Sequence, residues 1–211
     1  MVEISEIVDA RSLQAWLEAR SEETRYRDAV AIASRCAMRV FPNLFEFEGR
    51  RAGGPNLASA LPILRALVTG SIANRYALPI VRDAAYISAE AAVTFYFPLY
   101  NKTPLRDVAN AAKFAADAAC DTTAFTNKST AFSAASAAFN AVKSEEEVAQ
   151  AFQEDCARIL ENVDVLSSPL WYGDRPQPIS ANWRKSLNWL RVNPGHDFWI
   201  SWYEAALEGR P

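Results

Sequence analysis

The stretch from Thr103 to Val142 constrains this chain more than any other. It holds one proline, Pro104, and no glycine, and alanine recurs at Ala109, Ala111, Ala112, Ala115, Ala116, Ala118, Ala119, Ala124, Ala131, Ala134, Ala135, Ala137, Ala138 and Ala141. Alanine is the best helix former and loses no rotamer freedom on burial. The stretch therefore predicts helix. Asn110, Lys113, Asp117 and Asp121 recur at three- and four-residue steps and predict a solvated face. Val108, Ala111, Ala112, Ala115, Ala118, Ala119 and Thr122 lie away from it. A face of alanines lets a neighbouring backbone approach to about 8 Å. Phe125, Phe132 and Phe139 return every seventh residue to nearly one side, and these rings are expected to fill space that small residues leave open.

The run does not read as one rod. Thr122, Thr123, Thr126, Asn127, Ser129 and Thr130 are poor interior helix formers. They predict a break near Asn127 and a restart at Ser129. The alternative is a helix of about 39 residues, roughly 58 Å long, too long for a compact domain of this size.

Other punctuation divides the rest of the chain. Met1 to Val8 reads as a short lead-in helix. Leu13, Trp16 and Leu17 predict a helix over 12–20, with Asp9 or Ser12 as N-cap. Ser21 caps a longer helix to Phe41, where Pro42 ends it. Val30, Ala33, Ala37, Val40 and Phe41 form its buried stripe. Arg25, Asp28, Arg35 and Arg39 are expected to face water or a neighbour's carboxylates. A further helix starts at Asn56, or at Leu61 with Pro62 in its first turn, and ends near Tyr76. Another runs from Ile80 to Phe97 with Ala84, Ile87, Ala91 and Phe95 inward. Ser144 to Glu147 has the form of a capping box, opening a helix to Asn162 with Val148, Ala151, Phe152, Asp155, Cys156 and Ile159 on one side. Residues 164–179 are proline-rich and irregular. Ser180 is expected to cap a helix to Val192, and a last helix runs from His196 or Asp197 to Glu208, with Gly209 as its C′ residue.

No clear alternating, β-branched run occurs; Leu44 to Phe47 and Val163 to Leu166 come nearest. The expected fold is all-α, a compact bundle of about nine helices in a single domain over residues 1–211, with closely packed alanine-rich central helices. No fixed solenoid signature repeats.

Motif searching excludes more than it finds. There is no Cys-x-x-Cys, Walker loop, Gly-x-Ser-x-Gly, dinucleotide fingerprint or His-Glu-x-x-His. His196 is the only histidine, so paired imidazoles and His-rich metal sites are excluded, and a cap or local hydrogen bond suffices to explain it. The acids at Glu145, Glu146, Glu147, Glu154 and Asp155 fit dipole complementation and a solvated face. Di-iron bundles need Glu-x-x-His pairs, which are absent. No catalytic residue, metal or cofactor is expected. Cys36, Cys120 and Cys156 are odd in number and widely spaced in apolar helical contexts, which predicts buried thiols in a reducing, cytoplasmic compartment. Acids dominate the first nine residues, against a signal peptide, and no run is long enough to span a membrane. The net charge of −3 gives no reason to expect nucleic acid.

Two stretches stand out for binding. Trp171, Tyr172, Trp183, Trp189, Phe198, Trp199, Trp202 and Tyr203 crowd the C-terminal part of the chain. Such rings either plug gaps between alanine-faced helices or present hot spots to a partner. Trp171, Tyr172, Trp199, Trp202 and Tyr203 are the expected interface. Arg50 and Arg51, beside Gly53 and Gly54, have the ingredients of an anion site.

The segments FWISWYEAALEG (198–209) and AIASRCAMRVFP (31–42) resemble those of an uncharacterised group of alanine-rich bacterial helical proteins. Its pattern is W-x-x-WYE-x-x-L-x-G near the C-terminus and an early helix ending in R-V-x-P. The resemblance implies a helical fold and no activity. The functional expectation is a non-enzymatic protein-interaction module of adaptor, regulatory or immunity type, as a homo-oligomer or with another protein. The alternative is a small anionic-ligand or nucleotide binder using Arg50 and Arg51.

Overall fold

The computed structural model describes residues 3–44, 57–76, 78–96, 104–120, 129–192 and 195–210. Nine α-helices lie among them: α1 (Ala10–Glu18), α2 (Glu22–Val40), α3 (Leu57–Arg75), α4 (Pro79–Tyr96), α5 (Pro104–Ala119), α6 (Thr130–Ser144), α7 (Val148–Leu160), α8 (Gln177–Val192) and α9 (Asp197–Leu207). Two 3₁₀ turns, Ile4–Glu6 and Val165–Ser167, join them, and no strand occurs among the described residues. The fold is all-α, as expected from the sequence.

The alanine-rich stretch is two helices. Ser129 caps the second, its Oγ accepting from Phe132 N at 3.1 Å. Phe125 and Asp121 fall outside the described residues. α5 and α6 lie against each other and against α2; α3 and α4 pack on α5 and on each other, and α3 also packs on α2. Ala111, Ala112, Ala115, Ala116, Ala134, Ala137, Ala138 and Ala141 are sealed from solvent. Gly70 of α3 shows how near the rods lie: a methyl group there would sit 3.4 Å from Ser34 Oγ and 3.5 Å from the Ala115 carbonyl oxygen. Phe132 meets Phe114 edge-on at 6.4 Å and Phe139 meets Phe152 at 5.7 Å, where small side chains give out.

Several local signals act as read. Asp9 caps α1 by accepting from Ser12 N at 2.7 Å, and Ser21 caps α2. The last helix ends in a full Schellman motif, with Arg210 N donating to Ala205 O at 2.8 Å and Gly209 N to Ala206 O at 3.2 Å. Gly209 has φ +69° there, a conformation that costs a side chain about 1–2 kcal/mol.

Four expectations fail for physical reasons. Asp117 is buried, not solvated, and pairs with Lys113 one turn back, because α5 is packed nearly all round. Ser144 ends α6 instead of capping α7; its Oγ accepts from Asn43 Nδ2, and the residue at the N-cap of α7 is Glu147, without a side-chain cap. α8 starts at Gln177 with Pro178 in its first turn, so Ser180 is inside the helix and its Oγ bonds Arg175. Of the two starts offered for α3 the structure takes the earlier: the helix begins at Leu57, with Pro62 inside it. In α4 the face is inverted. Ile87 and Ala91 point outward, while Ala85, Ser88, Ala89 and Ala92 are buried against α3 and α5. Tight approach to two helices selects the small side chains, and the isoleucines are left on the outer face. Phe95 lies outside the residues whose side chains are described.

Candidate functional site

Arg35 and Arg39 are consecutive-turn neighbours on α2, a helix buried on every side from Asp28 to Val40. Two guanidiniums there need an acceptor for every donor. Asp155 of α7, wholly buried, supplies the charge. Its Oδ1 accepts from Arg35 Nε at 2.9 Å and Arg39 Nη2 at 3.1 Å, and its Oδ2 accepts from Arg39 Nη1 at 2.6 Å.

Backbone carbonyls of the segment 165–170 take the remaining donors of Arg35 and one of Arg39. Arg35 Nη1 donates to the Val165 and Ser168 oxygens, and its Nη2 to those of Pro169 (2.7 Å) and Leu170. Arg39 Nε donates to the Leu170 oxygen at 3.0 Å. Burial holds Arg35 below its ordinary pKa even with Asp155 alongside. At Arg39 burial pulls the same way, but the two-point contact with Asp155 outweighs it and the pKa is raised. Both stay charged, because arginine starts far above neutrality.

Trp171 and Tyr172 roof this cluster. The Tyr172 hydroxyl donates to Asp155 Oδ1 at 2.7 Å, and its ring lies between Arg35 and Arg158, 5.2 and 3.9 Å from their Cζ atoms. Trp171 lies 5.5 Å from Arg39 Cζ. Burial and then the Asp155 charge raise the Tyr172 pKa. Tyr203 is fully buried, its ring 4.4 Å from Trp183 and 5.2 Å from Phe41, and its hydroxyl donates to the Met38 oxygen at 3.2 Å. Segments 31–42 and 198–209 therefore pack against each other.

Of the five expected interface residues, Tyr203 is core and Trp171 and Tyr172 are half-buried over the ion cluster. Trp199 and Trp202 are half-buried, with rings edge-on at 6.5 Å. Arg50 and Arg51 lie outside the described residues. His196 is buried at the N-cap of α9, with its ring 5.5 Å from that of Trp189.

Two surface features remain, and sequence reasoning named neither. One is an apolar ridge on α4 and the turn before it: Tyr76, Leu78, Ile80 and Ile87 are 59%, 55%, 74% and 67% exposed. Ile80 and Ile87 are seven residues apart and share a helical face. Beside them opens a hollow of ≈ 310 Å³ lined by Arg82, Asp83, Tyr86, Ile87 and Cys120. The period-seven isoleucines were visible in sequence, but their apolar character argued for burial.

The other is a pocket of ≈ 240 Å³ where α2, α3, the 3₁₀ turn and α9 meet. Met38, Ile72, Leu166, Trp202 and Ala206 are its apolar lining, and Arg35, Arg75 and Arg210 its charged lining. Ser71 Oγ, also at the wall, donates to the Leu67 carbonyl, so it is not poised as a nucleophile. A second pocket of ≈ 280 Å³ adjoins it, sharing Arg75 and Leu166 and reaching Asp28 and Asp164. Cys36 and Cys156 are poor nucleophiles: both are buried, and burial pushes Cys36 up to about 12 and Cys156 well above its ordinary value. Among the described residues no group of three or more His, Cys, Asp or Glu could hold a metal, and no helix is long and apolar enough to cross a membrane.

Comparison with protein-family models, with curated proteins and with solved structures returns no match.

Proposed function

We propose that this protein is a non-enzymatic interaction module that pairs with a second copy of itself through the outer face of α4. The observation that carries the reading is the exposure of Ile80 and Ile87, 74% and 67%, one heptad apart on one helix. Contiguous exposed apolar residues mark interaction sites. A helix face with large residues at both ends and the smaller Ala84 and Ala91 beside them is suited to antiparallel self-packing, in which Ile80 of one copy meets Ile87 of the other. Two-fold pairing is also the commonest form of assembly. The hollow beside Ile87 gives each copy a socket for a partner side chain, the arrangement in which hot-spot residues work.

Among the C-terminal aromatics Tyr203 is buried in the core, while Trp171 and Tyr172 cover the buried arginines. Trp199 and Trp202 are half-buried and present less surface than Ile80 and Ile87, so α4 is the better candidate surface. Light scattering on purified protein tests the proposal. A dimer is expected, converted to monomer by Ile80→Asp with Ile87→Asp while the helical circular-dichroism signal is unchanged. A monomeric parent protein, or a dimer indifferent to both substitutions, overturns it.

A further inference from the structure

We infer that the pocket between α2, α3 and α9 is a binding site for a small aromatic carboxylate. The pocket combines two kinds of lining: Met38, Ile72, Tyr76, Leu166 and Trp202 are apolar or aromatic, and Arg35, Arg75 and Arg210 are guanidiniums. No aspartate or glutamate is among the described residues that line it.

The three arginines are not equivalent. Arg35 has spent all five N–H groups on Asp155 and the carbonyls of Val165, Ser168, Pro169 and Leu170, so it contributes field and shape, not a hydrogen bond. Arg210 is exposed and paired with Glu208 at 2.6 Å, an ion pair of the kind that solvent makes weak and exchangeable.

Arg75 is the one with capacity to spare. It is exposed, closes the last turn of α3, and its guanidinium makes a single long contact, Nη2 to Ser167 Oγ at 3.4 Å. A guanidinium fork with no carboxylate partner at the mouth of an apolar pocket fits a bidentate carboxylate ligand.

The ligand's body follows from the walls and the size. At ≈ 240 Å³ the pocket falls below the roughly 300–1,000 Å³ of sites for drug-sized molecules, so one ring with a short acid arm is the appropriate scale. Trp202 is half-buried, with its indole on the wall, and favours an aromatic ring edge or face over an alkyl chain. The carboxylate sits on Arg75, with Arg210 drawn from Glu208 as a second donor, and the ring lies against Trp202 and Leu166. No bond is made or broken.

The probe is phenylacetate, with 2-phenylethanol as its uncharged counterpart and acetate as the ring-less one. Calorimetric titration and thermal shift are expected to give saturable binding for phenylacetate and none for either control at equal concentration. Arg75→Gln is exposed enough to leave the fold intact and is expected to weaken binding roughly tenfold, the loss of one charge-assisted contact. Ile72→Asp places a carboxylate in the mouth and is expected to abolish it. Absence of phenylacetate binding, equal binding of 2-phenylethanol, or an affinity unchanged in Arg75→Gln overturns the inference. Tyr76 belongs to both the pocket and the ridge before α4, so the titration is repeated on the Ile80→Asp, Ile87→Asp protein, where the same phenylacetate affinity is expected whether or not the parent self-associates.

Discussion

Replacing Asp155 by alanine leaves two guanidiniums with no carboxylate in the middle of the protein. Asp155 accepts four hydrogen bonds, three of them from Arg35 and Arg39 and one from Tyr172. Removing one partner of a buried ion pair costs about 3–5 kcal/mol, chiefly because a charge is stranded without compensation. Typical domains have only about 5–15 kcal/mol in total. For a chain of this length each kcal/mol moves the melting temperature by roughly 2–4 °C, so Asp155→Ala is expected to melt about 6–20 °C lower. Urea denaturation followed by far-ultraviolet circular dichroism reads the same loss as a free energy. A second variant separates charge from geometry. Replacing Arg35, Arg39 and Asp155 together with methionine and leucine removes every charge, a change that is neutral or stabilising where the ions serve only each other. Here it strips donors from the carbonyls of Val165, Ser168, Pro169 and Leu170, at about 1–3 kcal/mol for each one left unsatisfied. The triple variant is therefore expected to remain less stable than the parent. Loss of under about 1 kcal/mol in Asp155→Ala, or a triple variant as stable as the parent, refutes the reasoning.

Two further outcomes follow from the same geometry. Gly209→Ala is expected to destabilise by at least about 1–2 kcal/mol from its left-handed backbone alone, and by more because the added carbon would lie 2.4 Å from the Ser168 carbonyl carbon. Gly173→Ala, with nothing within 4 Å, should stay within about 0.5 kcal/mol of the parent in the same denaturation experiment. At high pH the buried Cys36, Cys156 and Tyr203 and the half-buried Tyr172, all raised chiefly by desolvation, hold protons that the unfolded chain has released. Their contribution to stability is complete below the unfolded thiol value, near 9, and declines as pH rises towards the folded value of about 12 at Cys36. Denaturation midpoints measured across that window should fall steadily, and a thiol reagent at pH 8 should label Cys36 and Cys156 only after unfolding; a flat midpoint profile or prompt labelling counts against the burial.

The sequence was most informative where a signal is local. Asp9, Ser21 and Ser129 act as caps because capping needs only the next three residues. The buried face of α7 came out residue for residue, from Val148 to Ile159, because a helix with one neighbouring layer keeps a simple period. α4 defeated the same reading. Its hydrophobic residues and its small residues lie on opposite faces, and packing between α3 and α5 favoured smallness over hydrophobicity. The ion cluster was half legible. Water or a neighbour's carboxylates were expected for Arg35 and Arg39, and Asp155 was placed both on the inner face and among the solvated acids; it is wholly buried, and the juxtaposition spans 116 and 120 residues of sequence, which no local pattern encodes. The Arg75 pocket was not legible at all, since its walls come from four separated segments.

The order of synthesis gives the arginine anchor a kinetic meaning. α2 is made early, while the acid and carbonyls that satisfy Arg39 follow 116 to 131 residues later. At roughly 5–20 residues per second, the delay is on the order of 6–26 s. Throughout that interval a helix destined for the centre carries two cations with nowhere dry to go, so the nascent chain has a built-in reason to keep α2 wetted. The arrival of α7 and the segment after it removes that obstacle, and the last third of the chain serves as the latch that licenses the first third to close.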